Sequence, residues 1–210
     1  SSLENNTTAD NNTAVGYRSF YTNTTGASSV AIGSCTLFAN TTGGGNTAIG
    51  GSGTLDNNTT GANNSAFGNN ALDANTTASD NTALGAGALF ANTTGTSNTA
   101  GGRKALFTNI SSSHNTAFGF CALKTNTAGD NTAMGSEAMR LNTTGSRNTS
   151  VGRNSLEANT TGGNNTAMGT NALLLNTTAS SNTAFGADSL TANTTGVCNV
   201  SIGQSNLFAN

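Results

Sequence analysis

The residues best suited to nucleophilic or acid–base chemistry lie around the single histidine of the chain. His114 follows Ser111, Ser112 and Ser113, and its nearest candidate acid is Asp130. Serine, histidine and a carboxylate can form a catalytic triad, but a triad also needs a substrate pocket and donors for an oxyanion. The sequence shows neither feature near these residues. We therefore interpret His114 as a solvated corner residue, paired with Asp130, and predict no enzymatic activity.

The chain offers no clear site for a metal ion, a cofactor or a phosphate group. Its nine acidic residues do not fill one position of the sequence repeat, and the glycine-rich calcium-binding repeat is missing. The glycine runs at 43–45 and 50–51 lack the other residues of phosphate-binding motifs, so we interpret them as turns. We predict no metal site, no cofactor and no catalytic residue.

The composition also excludes several classes of partner. Charged residues make up 8% of the 210 residues, and the formal net charge is -2. No apolar run approaches the roughly 20 residues that span a bilayer. We predict no nucleic-acid binding and no membrane insertion. More than half of the residues are Asn, Thr, Ser or Gly, a composition typical of disorder unless something other than a large core orders the chain.

A repeat of 17 residues orders the whole chain. The unit reads Asn-Thr-Ala-apolar-Gly-x-x-Ala-Leu-x-x-Asn-Thr-Thr-Gly-x-x, and residues 81–97 match it throughout. We number its positions place 1 to place 17. The glycine of place 5 occurs in all twelve units, at positions 16, 33, 50, 68, 85, 102, 119, 135, 152, 169, 186 and 203.

A unit of this length predicts one turn of a parallel β-solenoid, in an all-β fold of about twelve 17-residue turns. We expect two short strands per turn, one at Thr-Ala-apolar and one at Ala-Leu, with Asn-Thr-Thr-Gly as the longer corner. Residues 1–210 then form a single solenoid domain. Both ends of the sequence cut through a unit, which predicts further protein next to them.

The recurring Gly and Asn residues have backbone explanations. Gly at place 5 supplies a backbone angle that residues with a Cβ avoid. Asn at places 1 and 12 tolerates left-handed conformations and can bond its own backbone. In stacked turns, like Asn residues lie above each other and can form amide ladders.

Two apolar columns are the candidates for a thin core. One is Leu at place 9, from Leu37 to Leu207, replaced by Phe20 and Met139 in two units. The other is the apolar residue of place 4, and we expect the small Ala of place 3 to point to the opposite side of the strand. The place 4 column consists of Val15, Ile32, Ile49, Phe67, Leu84, Gly101, Phe118, Met134, Val151, Met168, Phe185 and Ile202. Gly101 is expected to leave a gap in it.

The three cysteines are too far apart for a bridge within a solenoid. The closest pair, Cys121 and Cys198, is four turns apart, or about 19 Å at the stacking distance of a sheet. A disulfide needs Cα atoms within roughly 7 Å, so we predict free cysteines, while bonds between chains remain open. Cys35 and Cys121 share place 7, which we expect to be exposed.

The unit resembles a known repeat, most clearly at residues 29–33 (Ser-Val-Ala-Ile-Gly) and 199–203 (Asn-Val-Ser-Ile-Gly). These stretches resemble the head repeat of trimeric autotransporter adhesins, and the form Asn-Thr-Ala-Val-Gly followed by Asn-Thr-Thr-Gly looks like arrays in bacterial surface and phage tail-fibre proteins. The similarity covers the whole chain. It implies a left-handed parallel β-roll, an extracellular or cell-surface location, trimeric assembly, and binding to a host surface.

Place 12 also forms a column of N-glycosylation sequons. Turn chemistry alone explains these Asn and Thr residues. In a chain that passes through a glycosylation machinery, the same column would carry a sugar on almost every turn and give a glycan-coated structural filament. The acceptors are Asn6, Asn23, Asn40, Asn58, Asn75, Asn92, Asn109, Asn142, Asn159, Asn176 and Asn193.

Two further columns are candidate surfaces. Thr recurs at places 2, 13 and 14, and regular Thr rows on a flat face are typical of ice-binding solenoids. Place 10 mixes aromatic or apolar residues with charged ones, which suits a contact stripe for a sister chain or a ligand; partial burial under the neighbouring corner is the alternative. The apolar members of this contact stripe are Tyr21, Phe38, Phe90, Phe107, Leu174 and Phe208.

These observations together favour a non-enzymatic, extracellular fibre segment with a structural or adhesive role, similar to an adhesin head. Its expected partners are copies of itself, in a trimer or an end-to-end filament, and a host surface or glycan. The alternatives are the glycan-coated filament and an ice-binding solenoid.

Overall fold

A computed structural model describes residues 1–207. These residues contain twelve three-residue strands and no helix, so no helix could cross a membrane. The strands are β1 (Thr13–Val15), β2 (Val30–Ile32), β3 (Thr47–Ile49), β4 (Ser65–Phe67), β5 (Thr82–Leu84), β6 (Thr99–Gly101), β7 (Thr116–Phe118), β8 (Thr132–Met134), β9 (Thr149–Val151), β10 (Thr166–Met168), β11 (Thr183–Phe185) and β12 (Val200–Ile202). They form one parallel sheet in sequence order. This is a β-solenoid of about eleven turns, which confirms the predicted all-β class.

The strand register explains why the period of the sequence is so strict. Ala83 pairs with Ala66 of the preceding turn and with Ala100 of the following turn. The extra residue of the third unit does not disturb this register, because Ala48 still pairs with Ala66. Each place of the unit therefore stacks on itself and forms a column along the solenoid.

The glycine of place 5 is required for two independent reasons. Gly85 has a φ of +128°, which residues with a Cβ rarely adopt. A Cβ on Gly85 would also lie 2.8 Å from the carbonyl carbon of Gly102 in the next turn. Turns could not stack at this distance with any larger residue, which confirms the role predicted for this glycine.

Each turn contains one strand, and the prediction of a second strand at Ala-Leu is wrong. That segment is a turn, in which Leu37 and Leu89 have left-handed backbones with φ of 51° and 50°. This conformation costs about 1–2 kcal/mol and cannot be part of an extended strand. Burial of the Leu side chains offsets the cost. The Asn residues of places 1 and 12 do not have positive φ, so the left-handed conformation predicted for them is also wrong.

The interior is lined by the residues of places 3 and 9. The Leu column is confirmed, since its members from Phe20 to Leu190 are fully buried, whereas Leu207 at the end is 42% exposed. The prediction that Ala of place 3 points outward is wrong, because Ala31 to Ala184 are fully buried. The interior between the Leu column and the sheet is filled there by small side chains only, Ala in most turns and Ser150 or Ser201 in two.

The place 4 column is the main correction to the predicted core. Residues of successive places in a strand point to opposite sides, so an inward Ala turns its apolar neighbour outward. Exposed members of the column are Val15, Ile32, Phe67, Leu84, Phe118, Met134, Met168, Phe185 and Ile202, while Ile49 and Val151 are half-buried. Gly101 leaves no gap, because the ring of Phe118 lies over it, where a Cβ would be 2.3 Å from the ring.

Two columns of buried Asn hold the corners together and confirm the predicted amide ladders. At place 12, Nδ2 of Asn58 donates to Oδ1 of Asn40 at 2.7 Å and to the carbonyl oxygen of Gly61 at 2.9 Å. At place 1, Oδ1 of Asn46 accepts from the backbone N–H of Asn64 at 2.9 Å, and its Nδ2 donates to the same Gly61 carbonyl at 2.8 Å. The Asn side chains of places 1 and 12 thus form hydrogen bonds inside the solenoid.

Candidate functional site

The sequon column does not lie on the surface. Ten of its eleven Asn side chains, Asn23 to Asn193, are at most 1% exposed, and Asn6 is half-buried. In Asn92, one amide N–H donates to Oδ1 of Asn75 at 3.1 Å and the other donates to the carbonyl oxygen of Gly95 at 2.9 Å. A glycan would have to replace one of these hydrogens inside the solenoid. The fold therefore disfavours glycosylation at the ten buried positions, whereas occupancy of the sequons stays a prediction.

His114 and Asp130 come together as predicted, but not in a cavity. Their Nδ1 and Oδ1 atoms are 3.7 Å apart, and both side chains are mostly exposed, at 67% and 60%. An exposed pair of this kind contributes little to stability. Ser113 does not join it, because its hydroxyl accepts from the backbone N–H of Thr96 at 2.9 Å. Within residues 1–207, no group of three or more His, Cys, Asp or Glu side chains could hold a metal ion.

The three cysteines are free, as predicted. Cys198 is exposed and Cys35 is half-buried. Cys121 is buried, which corrects the prediction that place 7 is exposed.

The three Thr columns do not form one flat array. Place 2 lies in the strands and points outward. At place 13, the Thr24 hydroxyl donates to the carbonyl oxygen of Thr41 at 3.0 Å, and this bond recurs along the column. Place 14, represented by Thr25, is exposed at the corner. The hydroxyls of place 13 are thus used to join turns.

The outer side of the sheet is the most extensive candidate surface. We call the side chains of places 2 and 4 in β1–β12 the sheet face. Place 2 is Thr in nine strands and Ser65, Val30 or Val200 in the other three, and place 4 is apolar apart from Gly101. No charged residue occurs at either place. At roughly 4.8 Å per strand step, the sheet face is about 50 Å long.

The contact stripe of place 10 is half-buried and forms aromatic stacks. Tyr21 and Phe38 stack with ring centroids 5.6 Å apart, and Phe90 and Phe107 stack at 5.0 Å. Leu174 is likewise half-buried, and Phe208 lies outside the described residues. Its role as a contact for a partner stays a prediction.

Between the two stacks, place 10 holds a pair of carboxylates, Asp56 and Asp73. Burial raises the pKa of both groups, and the charge of Asp73 raises the pKa of Asp56 further. Hydrogen bonds from the backbone at Phe38 to Asp56 and from the Asn70 side chain to Asp73 lower these pKa values in part. Oδ1 of Asp56 is buried and has no hydrogen-bond partner. The pair is electrostatically unfavourable when both groups are ionised.

A surface cavity of about 280 Å³ lies beside the Phe90–Phe107 stack. Arg103 and Lys104 line one part of it and Asn69 and Asn70 another. The repeat pattern does not single out these four residues or Gly87, which also lines the cavity. One feature of the sequence could have indicated the cavity. Arg103 and Lys104 are adjacent cations in a chain with only seven Lys and Arg residues, and aromatic residues stand at place 10 of two consecutive units.

A comparison with protein-family models, curated proteins and solved structures finds no match for this chain.

Proposed function

We propose that this chain is a segment of an extracellular fibre, similar to an adhesin head, in which solenoids associate side by side through the sheet face. One observation carries this proposal: the uncharged place 4 column has exposed apolar side chains in nine of the twelve strands. Val15 and Phe185 are 57% and 53% exposed. Soluble monomers rarely expose contiguous apolar surface on this scale, and such surfaces are typical of protein interfaces.

The shape of the sheet face favours a second copy of the chain as its partner. Both columns repeat at the strand spacing, so two copies present the same pattern of Thr and apolar side chains. Three residues of strand are about 10 Å wide, which gives roughly 500 Å² per copy and about 1,500 Å² for three copies around one axis. This area reaches the lower limit of a specific interface. The absence of charge on the face means that no repulsion or charge burial opposes the contact.

The resemblance of residues 29–33 and 199–203 to adhesin-head repeats supports the trimeric state, the left-handed winding and the extracellular or cell-surface location. Lateral contact through the sheet face supports a trimer over an end-to-end filament. The same resemblance supports an adhesive role toward a host surface or glycan. No catalytic role is part of the proposal.

The ice-binding alternative fits the sheet face less well. Ice binding needs a regular array of hydroxyl and methyl groups, and here the large side chains of place 4, such as Phe67 and Phe118, stand beside the Thr column. The glycan-coated filament loses its main support, because its acceptor amides are buried.

Light scattering after size-exclusion chromatography tests the proposal. The wild-type chain should elute as a discrete oligomer, with three copies expected, and the variant Phe118→Ser/Met134→Ser should shift toward monomer. Leu175→Ser is the matched control, because Leu175 is 46% exposed but lies at place 11, outside the sheet face. A wild-type chain that is monomeric at tens of micromolar, or a control that dissociates as readily as the double variant, would overturn the proposal.

A further inference from the structure

The cavity beside the Phe90–Phe107 stack exists because of one glycine. At place 7 the turn before carries Asn70 and the turn after carries Lys104, whereas the turn between them carries Gly87. The φ of Gly87 is 68°, close to the 57° of Asn70 and the 59° of Lys104, so the backbone itself does not require glycine. Glycine at this place therefore leaves space where every other described turn except that of Gly53 has a side chain.

Aromatic rings form the apolar wall of this cavity. Phe90 and Phe107 stack with an interplanar angle of 8°, which holds both rings in place. Nζ of Lys104 lies 5.3 Å from the centroid of the Phe107 ring, so a cation is held beside the aromatic wall. Half-buried rings offer an apolar surface to the C–H groups of a ligand at little entropic cost.

The cavity is also locally cationic in a chain of net charge -2. The described residues include three ion pairs, and neither Arg103 nor Lys104 takes part in them. The Arg103 guanidinium lies 5.8 Å from the centroid of the Phe120 ring. An arginine without a carboxylate partner can bind a ligand carboxylate through two parallel hydrogen bonds, and the neighbouring lysine adds charge.

Two amide side chains supply hydrogen-bonding groups beside the cations. Nδ2 of Asn69 donates to Oδ1 of Asn70 at 2.6 Å, which orients both side chains. Oδ1 of Asn69 remains to accept from a hydroxyl. The cavity thus combines an apolar wall, two cations and amide groups in about 280 Å³. Small-molecule sites begin near this size, so it suits a single sugar ring.

We propose that this cavity binds an acidic sugar residue, with the carboxylate on Arg103 and Lys104, the C–H face against the Phe90–Phe107 wall, and hydroxyls on Asn69 and Asn70. This inference names a ligand class for the adhesive role, and so it rests on the adhesive part of the proposed function. It does not require self-association through the sheet face.

Titration calorimetry with methyl glucuronide tests the site, with methyl glucoside and acetate as separate probes. We expect saturable binding of the glucuronide with a dissociation constant of the order of 1 mM, and at least tenfold weaker binding of each other probe. Equal binding of acetate would show a simple anion site, and equal binding of the glucoside would show that the cations play no part. Either result would overturn the proposal, as would no saturable binding of the glucuronide.

Variants of the chain locate the site. Arg103→Ala should weaken glucuronide binding about three- to tenfold, the lower value reflecting solvent screening of an exposed cation. Gly87→Asn should abolish binding by filling the cavity, and Asn at place 7 is compatible with the fold, as Asn70, Asn154 and Asn171 show. Arg153→Ala is the matched control, because Arg153 is an exposed cation at the same place as Arg103, three turns away.

Equal loss of binding in Arg103→Ala and Arg153→Ala would mean that general charge attracts the sugar and would refute the cavity. Melting curves of each variant verify that it is folded. Light scattering on the same samples measures self-association separately. If the chain assembles but does not bind the glucuronide, only the sugar-binding inference is refuted. If the chain binds the glucuronide as a monomer, only the assembly proposal is refuted.

Discussion

The side-chain amides of Asn92 and Asn75 are joined by a hydrogen bond of 3.1 Å from Nδ2 to Oδ1, across one turn of the solenoid. Oδ1 of Asn92 accepts in turn from Nδ2 of Asn109 at 3.0 Å. Both amides are fully buried, so water cannot replace a hydrogen-bond partner that either of them loses. A buried polar group that loses its partner costs more than the bond contributed when made. The ladder therefore fixes both the stacking and the identity of Asn at place 12.

Replacing Asn92 with Ala should lower the free energy of unfolding by about 2–4 kcal/mol. The change removes the bonds to Asn75 and Gly95 and leaves the amide of Asn109 without an acceptor on Asn92. Urea denaturation measures the loss. Asn57→Ala is the control, because Asn57 is exposed and makes one side-chain bond, to the carbonyl oxygen of Asp73. Equal losses in the two variants would mean that the buried ladder has no special contribution.

Expression in a glycosylating secretory host should yield folded chain without sugar at the ten buried acceptors, while exposed sequons outside place 12, such as those of Asn57 and Asn164, remain open to the machinery. The ten buried acceptor amides are used by the ladder, so a glycan on any of them would prevent the turns from stacking. Peptide mapping of the glycosylated positions, with glycosidase treatment of a parallel sample, measures this. Thr94→Ala removes the sequon of Asn92 at an exposed position and should change neither the mass beyond the substitution nor the melting temperature. Sugar mapped to Asn92 in folded material would contradict the buried ladder.

Much of the fold follows from the sequence because the repeat leaves few choices. Gly at place 5 and Asn at places 1 and 12 recur because stacked backbones require them, and this requirement is visible in any one unit. The orientation of the strand was not predictable in the same way. In Thr82-Ala83-Leu84, alternation places Ala83 and Leu84 on opposite sides in either orientation, and hydrophobicity alone places Leu84 inside. The orientation is decided by the narrow interior, which accommodates the small side chains of Ala and Ser at place 3 but not one the size of Leu.

The candidate sites were harder to predict than the fold. The sequon Asn-x-Ser/Thr has the same sequence whether its Asn is buried or exposed. The sequence of a single unit therefore does not reveal that Asn92 is buried. The cavity depends on Gly87, Phe90 and Lys104, which lie in two turns and differ from the consensus. Only the register of the solenoid brings them together, and their combination occurs once among the described turns.

The inward position of Ala83 predicts opposite outcomes for two neighbouring substitutions. Ala83→Val adds volume at a fully buried site and should destabilise the chain by about 1–3 kcal/mol. Leu84→Thr changes a side chain that is 39% exposed and should cost less than about 0.5 kcal/mol. Urea denaturation in the Phe118→Ser/Met134→Ser background separates these effects from any loss of assembly. A larger loss for Leu84→Thr would restore place 4 to the core and remove the basis of the sheet face.

The acidic pair at place 10 predicts a pH-dependent gain of stability in Asp56→Asn. The pKa of Asp56 is raised in the folded chain above its ordinary value of 3.8, so the folded state binds its proton more tightly than the unfolded state does. Stability of the wild type should therefore rise as the pH falls through the raised pKa, and the penalty should be absent below about pH 3.8. Asn is neutral at every pH and should raise the melting temperature at pH 7.

The gain from Asp56→Asn should shrink as the pH falls and vanish below about pH 3.8, where the wild-type carboxyl is protonated in both states. Thermal melts between pH 3 and pH 8 measure this profile. Asp10→Asn removes the same charge at an exposed residue and should leave the melting temperature nearly unchanged at every pH. A gain in Asp56→Asn that persists unchanged at pH 3 would show that better packing or a new amide bond to Asp73 stabilises the variant, and that relief of the buried charge does not.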